Sequence, residues 1–144
     1  MLATLSTEAW KLRGISETQV FSHGAFHAQN LMVGRGLMVG LAFTEARLKL
    51  AAYDIVDFLK SDIFRDARPE DVDRSGIQKA NKEMFFRRYS HPIEMDVLEV
   101  CLRGRLLMDW LTLWQPDHTC SLYDEDRRQR LGDRLRLAFQ KSTG

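Results

Sequence analysis

The strongest constraint on the fold is the segment 93–114, which is apolar on two opposite sides of a helix. One stripe contains Ile93, Val97, Val100, Gly104, Leu107 and Leu111, and the other contains Leu98, Leu102, Leu106 and Leu113. A helix of this kind lies between neighbouring helices, because both of its faces have to be buried. The sequence therefore predicts a helix over 93–114 that lies inside a helical bundle.

Other segments with helical spacing surround this one. They are 7–13 after the N-cap candidate Ser6, 17–63 after Ser16 with a break at 34–36, 77–89, and 124–141. Pro69, Pro92 and Pro116 separate the segments, as expected for a residue that disrupts helix interiors. No alternating run rich in Val, Ile and Thr, and no Asn-Gly or Asp-Gly pair, indicates a strand or a hairpin. We predict an all-α fold, a single-domain bundle of about five helices over residues 1–144.

The phrase LMVG occurs twice in LMVGRGLMVG, residues 31–40. A phosphate-binding glycine loop needs a strand before it and a helix start after it, and 26–33 has helical spacing instead. The Walker ending Gly-Lys-Ser or Gly-Lys-Thr is missing from the chain. We predict a buried helix in which Gly36 and Gly40 let another helix approach closely, at a cost of about 1 kcal/mol per glycine.

Composition limits the functional classes. The 144 residues are 44% hydrophobic and 28% charged, which is ordinary for a globular domain. The net charge of +1 removes the simplest argument for nucleic-acid binding, a strongly basic chain. The opening residues do not resemble a secretion signal, and 31–43 is too short to span a bilayer and contains Arg35. We predict a cytoplasmic protein that does not contact membranes, with Cys101 and Cys120 as reduced thiols.

The sequence contains no constellation typical of catalysis. His23 and His27 would share one helix face, but neither His-Glu-x-x-His nor Glu-x-x-His accompanies them. Asp54 and Asp57 could act as an acid–base pair or could pair with basic residues of a neighbouring helix. We predict no catalytic residues, no metal and no cofactor, and therefore no enzyme.

The basic residues are clustered near the end of the chain. Residues 127–141 contain five arginines and one lysine against one aspartate. On a helix, Arg127, Arg130, Arg134 and Lys141 form one stripe, and arginine can bind phosphate through two hydrogen bonds. The alternative is a solvated face whose arginines pair with the acidic residues at 124–126.

Two further groups of arginines lie on other predicted helices. FFRRYSHP, residues 85–92, places Arg87 and Arg88 between aromatic residues, a composition that single-strand binders use, although Phe85 also suits a core. Arg103 and Arg105 flank Gly104 on the two-sided helix, and we predict that carboxylates of adjacent helices pair with them.

Parts of the chain resemble the small subunits of type I CRISPR surveillance complexes. The C-terminal similarity is a helix closing in Leu-x-x-Trp followed by an arginine-rich amphipathic helix, here Leu111, Trp114, Arg127, Arg128, Arg130 and Leu135. Upstream, the similarity is a Gly-Arg pair before a Glu-x-Arg helix, here Gly34, Arg35, Glu45 and Arg47. The resemblance implies an all-α, non-enzymatic subunit that packs along a ribonucleoprotein backbone and holds displaced or target DNA.

Two functional hypotheses follow. The first is a non-catalytic helical subunit of a nucleic-acid–protein complex that contacts DNA or RNA backbone and other protein subunits. Its predicted contacts are Arg127, Arg130, Arg134 and Lys141, with Arg87, Arg88, Arg35 and Arg47 as secondary candidates. The alternative is a plasmid- or phage-type adaptor or inhibitor whose surface binds a protein partner.

Overall fold

The computed structural model describes residues 1–16, 19–115 and 122–142, and this part of the chain forms five α-helices and four short strands. The helices are α1 (Leu2–Lys11), α2 (Ala52–Leu59), α3 (Lys79–Phe86), α4 (Met95–Thr112) and α5 (Leu122–Ser142). The strands are β1 (Gln19–Ser22), β2 (Leu31–Gly34), β3 (Leu37–Gly40) and β4 (Arg47–Leu50). Short 3₁₀ turns occur at Ala28–Asn30, Phe43–Glu45, Lys60–Phe64 and Pro69–Asp71.

The predicted all-α fold is wrong, because residues 19–50 form two antiparallel sheets of two strands each. The strand β1 pairs with β4, and β2 pairs with β3. The long helix predicted over 17–63 exists only from Ala52 onward, as α2. Three glycines within seven residues, at 34, 36 and 40, weaken a helix here by about 1 kcal/mol each. No helix follows the predicted N-cap Ser16 within residues 19–50.

The later helices agree with the sequence prediction. Helix α4 lies within the predicted 93–114 and α5 covers the predicted 124–141, while α3 is shorter than the predicted 77–89. The first helix begins at Leu2 rather than at residue 7, so the predicted N-cap Ser6 lies inside it. Pro69 begins a 3₁₀ turn and Pro92 precedes α4, whereas Pro116 lies outside the described residues.

The core is built around α4, which packs against α1, α2 and α5. Its residues Leu98, Leu102 and Leu106 are completely buried. They join one cluster with residues of α2 and α5 that include Ile55, Leu59, Leu131, Leu135 and Phe139. None of the residues 19–50 belongs to this buried cluster. The two sheets therefore lie outside the helical core, and Leu41 and Leu48 are exposed.

Ion pairs between helices hold two arginines of α4, Arg103 and Arg105. Arg103, with 4% of its side chain exposed, pairs with Glu8 of α1 and donates to the carbonyl oxygen of Arg74 at 2.8 Å. Arg105 of α4 lies 3.5 Å from a carboxylate oxygen of Asp57 of α2. The predicted inter-helix carboxylate partners are confirmed for both arginines.

Among the described residues, no helix is both long and apolar enough to cross a membrane.

Candidate functional site

The repeated LMVG phrase forms a β-hairpin. Its first copy is β2 and its second copy is β3, with Val33 opposite Met38 and Met32 opposite Val39. The connecting pair is Arg35 and Gly36, whose φ angles are 48° and 76°. Two positive φ values are required by the type I′ turn that best fits a two-residue hairpin loop. The predicted buried helix at this position is wrong, and the repeat consists of two paired strands.

The hairpin exposes large apolar side chains on both of its faces. The exposed fractions are 58% for Met32, 75% for Val33, 69% for Leu37, 63% for Met38 and 50% for Val39. Because cross-strand partners share a face, Val33 and Met38 lie on one side and Met32 and Val39 on the other. The sheet has two strands, so the outer edges of β2 and β3 have no pairing strand within the described residues. Such a surface is typical of a protein-binding site.

The second sheet also carries exposed apolar residues. Phe21 of β1 and Leu48 of β4 lie opposite each other and are 74% and 66% exposed. The loop that follows β1 is fixed by Asp54 of α2, whose carboxylate accepts the backbone N–H groups of His23 at 2.6 Å and Gly24 at 2.9 Å. Residues 19–50 are thus attached to the helical core but leave much apolar surface uncovered.

The central arginine of the predicted phosphate-binding stripe is buried. The Arg134 side chain is 6% exposed, and its Nη1 lies 3.1 Å from the Oδ2 atom of Asp62. Its Nη2 donates to the carbonyl oxygen of Arg65 at 3.0 Å. Burial lowers the pKa of the Arg134 guanidinium, and the charge of Asp62 only partly offsets this effect. Arg134 thus contacts protein groups on the core side of α5.

The other three members of the stripe also contact protein groups. Arg130 lies 2.7 Å from Asp66 and 2.8 Å from Asp126, and the hydrogen bonds that its guanidinium donates to these carboxylates raise its pKa. Lys141 donates hydrogen bonds to the carbonyl oxygens of Pro69, at 2.6 Å, and of Val72. Arg127 lies over the ring of Phe64, 5.9 Å from its centre. The alternative prediction was a solvated face whose arginines pair with the acidic residues at 124–126. It is confirmed in part, because Arg130 pairs with Asp126.

The four secondary candidates lie at the surface, outside α5. Arg35, Arg47, Arg87 and Arg88 are exposed, and no side-chain hydrogen bond or ion pair joins them to another described residue. Arg35 is at the hairpin turn, Arg47 begins β4, and the other two follow α3. These arginines are available to an external anion. Phe85, which precedes Arg87 and Arg88 in the sequence, packs against the core, which is one of the two roles predicted for it.

The histidine pair and the aspartate pair considered for metal binding and acid–base chemistry contact other protein groups. His23 is 7% exposed and packs on Phe43, with 4.2 Å between ring centres, while His27 lies 3.2 Å from the side-chain nitrogen of Asn30. Both histidines lie in a loop, so they do not share a helix face. Asp57 pairs with Lys60 at 3.2 Å, whereas Asp54 accepts loop N–H groups. Within the described chain no group of three His, Cys, Asp or Glu side chains is close enough to hold a metal ion.

A cavity of about 450 Å³ lies between α2 and α3 beside the hairpin. Three aromatic rings lie side by side along one wall of the cavity. The ring centres of Phe58 and Phe85 are 5.6 Å apart, and those of Phe85 and Tyr89 are 5.5 Å apart. Arg65 and Arg88 also line the cavity, and the hairpin contributes Met38. The remaining lining residues are Phe26, Leu59, Ser61, Asp62, Asn81 and Met84. The cavity therefore combines an apolar wall with two cationic side chains.

Sequence reasoning missed the hairpin, the cavity and the burial of Arg134. The sequence does contain a signal for the burial of Arg134. This residue lies three positions after Leu131 and four before Ala138, on the apolar face of α5. Arg-Gly is not among the usual type I′ pairs, so the turn gave no comparable signal. The cavity joins residues distant in sequence and had no local pattern.

The residues that carry the resemblance to CRISPR small subunits belong to different kinds of secondary structure. Arg128 of α5 lies over the ring of Trp114 at 4.3 Å, which joins the ends of two helices. Gly34 and Arg35 belong to the hairpin. Glu45 ends a 3₁₀ turn and Arg47 begins β4, so the helix implied at Glu45 and Arg47 is wrong. No protein-family model matches the chain, and no curated protein or solved structure is significantly similar to it.

Proposed function

We propose that this chain is a non-catalytic protein-interaction module, an adaptor or inhibitor that binds another protein through its apolar hairpin. The observation that carries the proposal is the exposure of Met32, Val33, Leu37, Met38 and Val39 on a two-stranded sheet with uncovered edges. Apolar side chains supply the affinity when water is removed from them, and an unpaired edge can accept a strand of the partner. The partner is therefore a protein that offers an apolar extended segment.

The size of the exposed surface supports this proposal. If each of the five side chains loses on the order of 100 Å² to a partner, the hairpin alone buries about 500 Å², more than half of the roughly 800 Å² that each side of a stable complex contributes. The pairing of strand edges and contacts from Phe21 or Leu48 can supply the remainder. The basic stripe of α5 is already occupied by protein groups, which reduces its role in binding a partner.

The test is affinity purification of the tagged protein from its native host, after nuclease treatment, with a matched pair of variants. Met32→Asp places a charge on the hairpin, and Met108→Asp does so on α4, where the side chain is equally exposed at 60% against 58%. We expect a stoichiometric protein partner that Met32→Asp loses by tenfold or more, since burying one large apolar side chain contributes about 1.5–3 kcal/mol.

The matched variant keeps the partner if the hairpin is the binding site. Equal retention by the two variants, or release of all co-purifying protein by nuclease, would refute the proposal. Light scattering of the purified chain shows whether the partner is a second copy.

A second candidate, nucleic-acid binding, is supported by the four exposed arginines at 35, 47, 87 and 88, which have no anionic partner among the described residues. A phosphate-driven interaction weakens steeply with salt, whereas an apolar one does not. Changing Arg87 and Arg88 together to Gln should reduce the salt dependence of DNA or RNA binding if this candidate is right. Binding that is absent at low salt would exclude it.

A further inference from the structure

We propose that the cavity between α2 and α3 binds a small amphipathic anion, an apolar aryl or alkyl body with one carboxylate. This site is separate from the protein contact proposed for the hairpin, although Met38 touches both. Three properties of the cavity support the proposal: its volume, its aromatic wall and two arginines that form no ion pair with another described residue.

The volume and the wall define the apolar body. At about 450 Å³ the cavity falls within the range of roughly 300–1,000 Å³ typical of small-molecule sites. The rings of Phe58, Phe85 and Tyr89 follow one another at about the spacing of stacked or tilted aromatic pairs. A phenyl group or a short alkyl chain matches such a wall, and its burial would remove apolar surface from water.

The two arginines define the charge. Arg65 and Arg88 line the cavity, and neither side chain has a hydrogen bond or ion pair with another residue of the described ranges. In contrast, Arg130 and Arg134 are both held by aspartates. A guanidinium binds a carboxylate through two hydrogen bonds with fixed geometry. The free arginines thus match an anion that enters with its apolar end toward the rings.

The carboxylate of Asp62, which also lines the cavity, does not oppose this anion. Its side chain is 3% exposed and pairs with Arg134. Its oxygens also accept the backbone N–H of Gln78 at 2.9 Å and the side-chain amides of Gln78 and Asn81. Because Asp62 is neutralised by an adjacent positive charge, the net charge at the cavity comes from Arg65 and Arg88.

The experiment compares three probes that share one apolar body: phenylbutyrate, phenylbutanol and phenylbutylamine. Each is titrated into the full-length, isotope-labelled protein, and amide chemical shifts are followed by NMR. We expect phenylbutyrate to shift the amides lining the cavity with a Kd of roughly 1 mM, and the alcohol and the amine to bind at least about threefold more weakly. Equal binding of the three probes, or shifts confined to other parts of the protein, would overturn the proposal.

Arg87 provides a matched control for Arg88. The two residues are adjacent, exposed and unpaired among the described residues, but only Arg88 lines the cavity. Arg88→Gln and Arg65→Gln should each weaken phenylbutyrate binding by about two- to fivefold, while Arg87→Gln should leave it unchanged. An equal effect of Arg87→Gln and Arg88→Gln would show that only general surface charge matters and would refute the site.

The hairpin variant separates this proposal from the proposed function. Met32 does not line the cavity, so Met32→Asp should leave phenylbutyrate binding unchanged while it removes the protein partner. Loss of the partner with normal probe binding supports both proposals. Normal partner binding without any probe binding refutes the cavity site alone.

Discussion

Replacing Arg134 by Met should destabilise the protein far more than the same change at Arg130. Arg134 pairs with Asp62, and the two side chains are only 6% and 3% exposed. Methionine can fill the space of the arginine stem, but it leaves the Asp62 carboxylate buried with only neutral donors from Gln78 and Asn81. Breaking a buried ion pair on one side costs about 3–5 kcal/mol. That is a large fraction of the 5–15 kcal/mol typical of a whole domain.

The control is Arg130→Met, one helical turn away. The Arg130 side chain is 33% exposed, and its partners Asp66 and Asp126 are 95% and 60% exposed, so water solvates them when the arginine is lost. This variant should lose only a small part of the free energy of unfolding that Arg134→Met loses. Urea unfolding followed by circular dichroism measures both free energies of unfolding by linear extrapolation.

A second change identifies the source of the loss. Adding Asp62→Asn to Arg134→Met removes the uncompensated charge and should recover much of the lost free energy, because neutral groups are less costly to bury than an unpaired ion. If Arg134→Met and Arg130→Met lower the free energy of unfolding equally, within about 1 kcal/mol, then Arg134 is not a buried ion-pair partner of Asp62.

Two other predictions concern the pH dependence of stability and the hairpin turn. Burial raises the pKa of Asp73, but hydrogen bonds from Lys82 and Ser75 and the charge of Lys82 outweigh it and hold that pKa below its usual 3.8. This carboxylate stabilises the fold above about pH 4 and loses that contribution as the pH falls through its folded pKa, so Asp73→Asn should flatten the acid loss in urea titrations between about pH 4 and 2. Gly36→Ala should weaken the hairpin by about 1 kcal/mol and Arg35→Asn should strengthen it, because both positions have positive φ. Amide hydrogen exchange in β2 and β3 measures this effect, and unchanged protection would contradict the turn geometry.

The helical half of the fold could be predicted from sequence because its signal is long and periodic. The stripes of α4 and the apolar face of α5 extend over several turns, and Leu131, Leu135 and Phe139 of that face are buried. The strands of residues 19–50 are four residues each, too short for a clear alternation. The hairpin is apolar on both faces, so a period of two cannot be recognised in it.

The candidate site was less predictable than the fold. Charge clustering identified α5, but the partners that occupy its arginines, such as Asp62 and Asp66, come from a segment about seventy residues earlier. Only tertiary contacts reveal that these charges are satisfied. Arg87 and Arg88 are candidates because of the composition around them, and Arg35 and Arg47 because of the family resemblance. Their lack of partners among the described residues is visible only in the folded chain.

NMR of the isotope-labelled protein would show whether residues 31–40 form an exposed β-hairpin. We expect cross-strand nuclear Overhauser contacts between the backbone protons of Val33 and Met38, and strand-type carbon shifts on both sides of the Arg35–Gly36 turn. A helical pattern of contacts between residues three apart through 31–40 would contradict the hairpin. It would also remove the surface on which the proposed protein interaction depends.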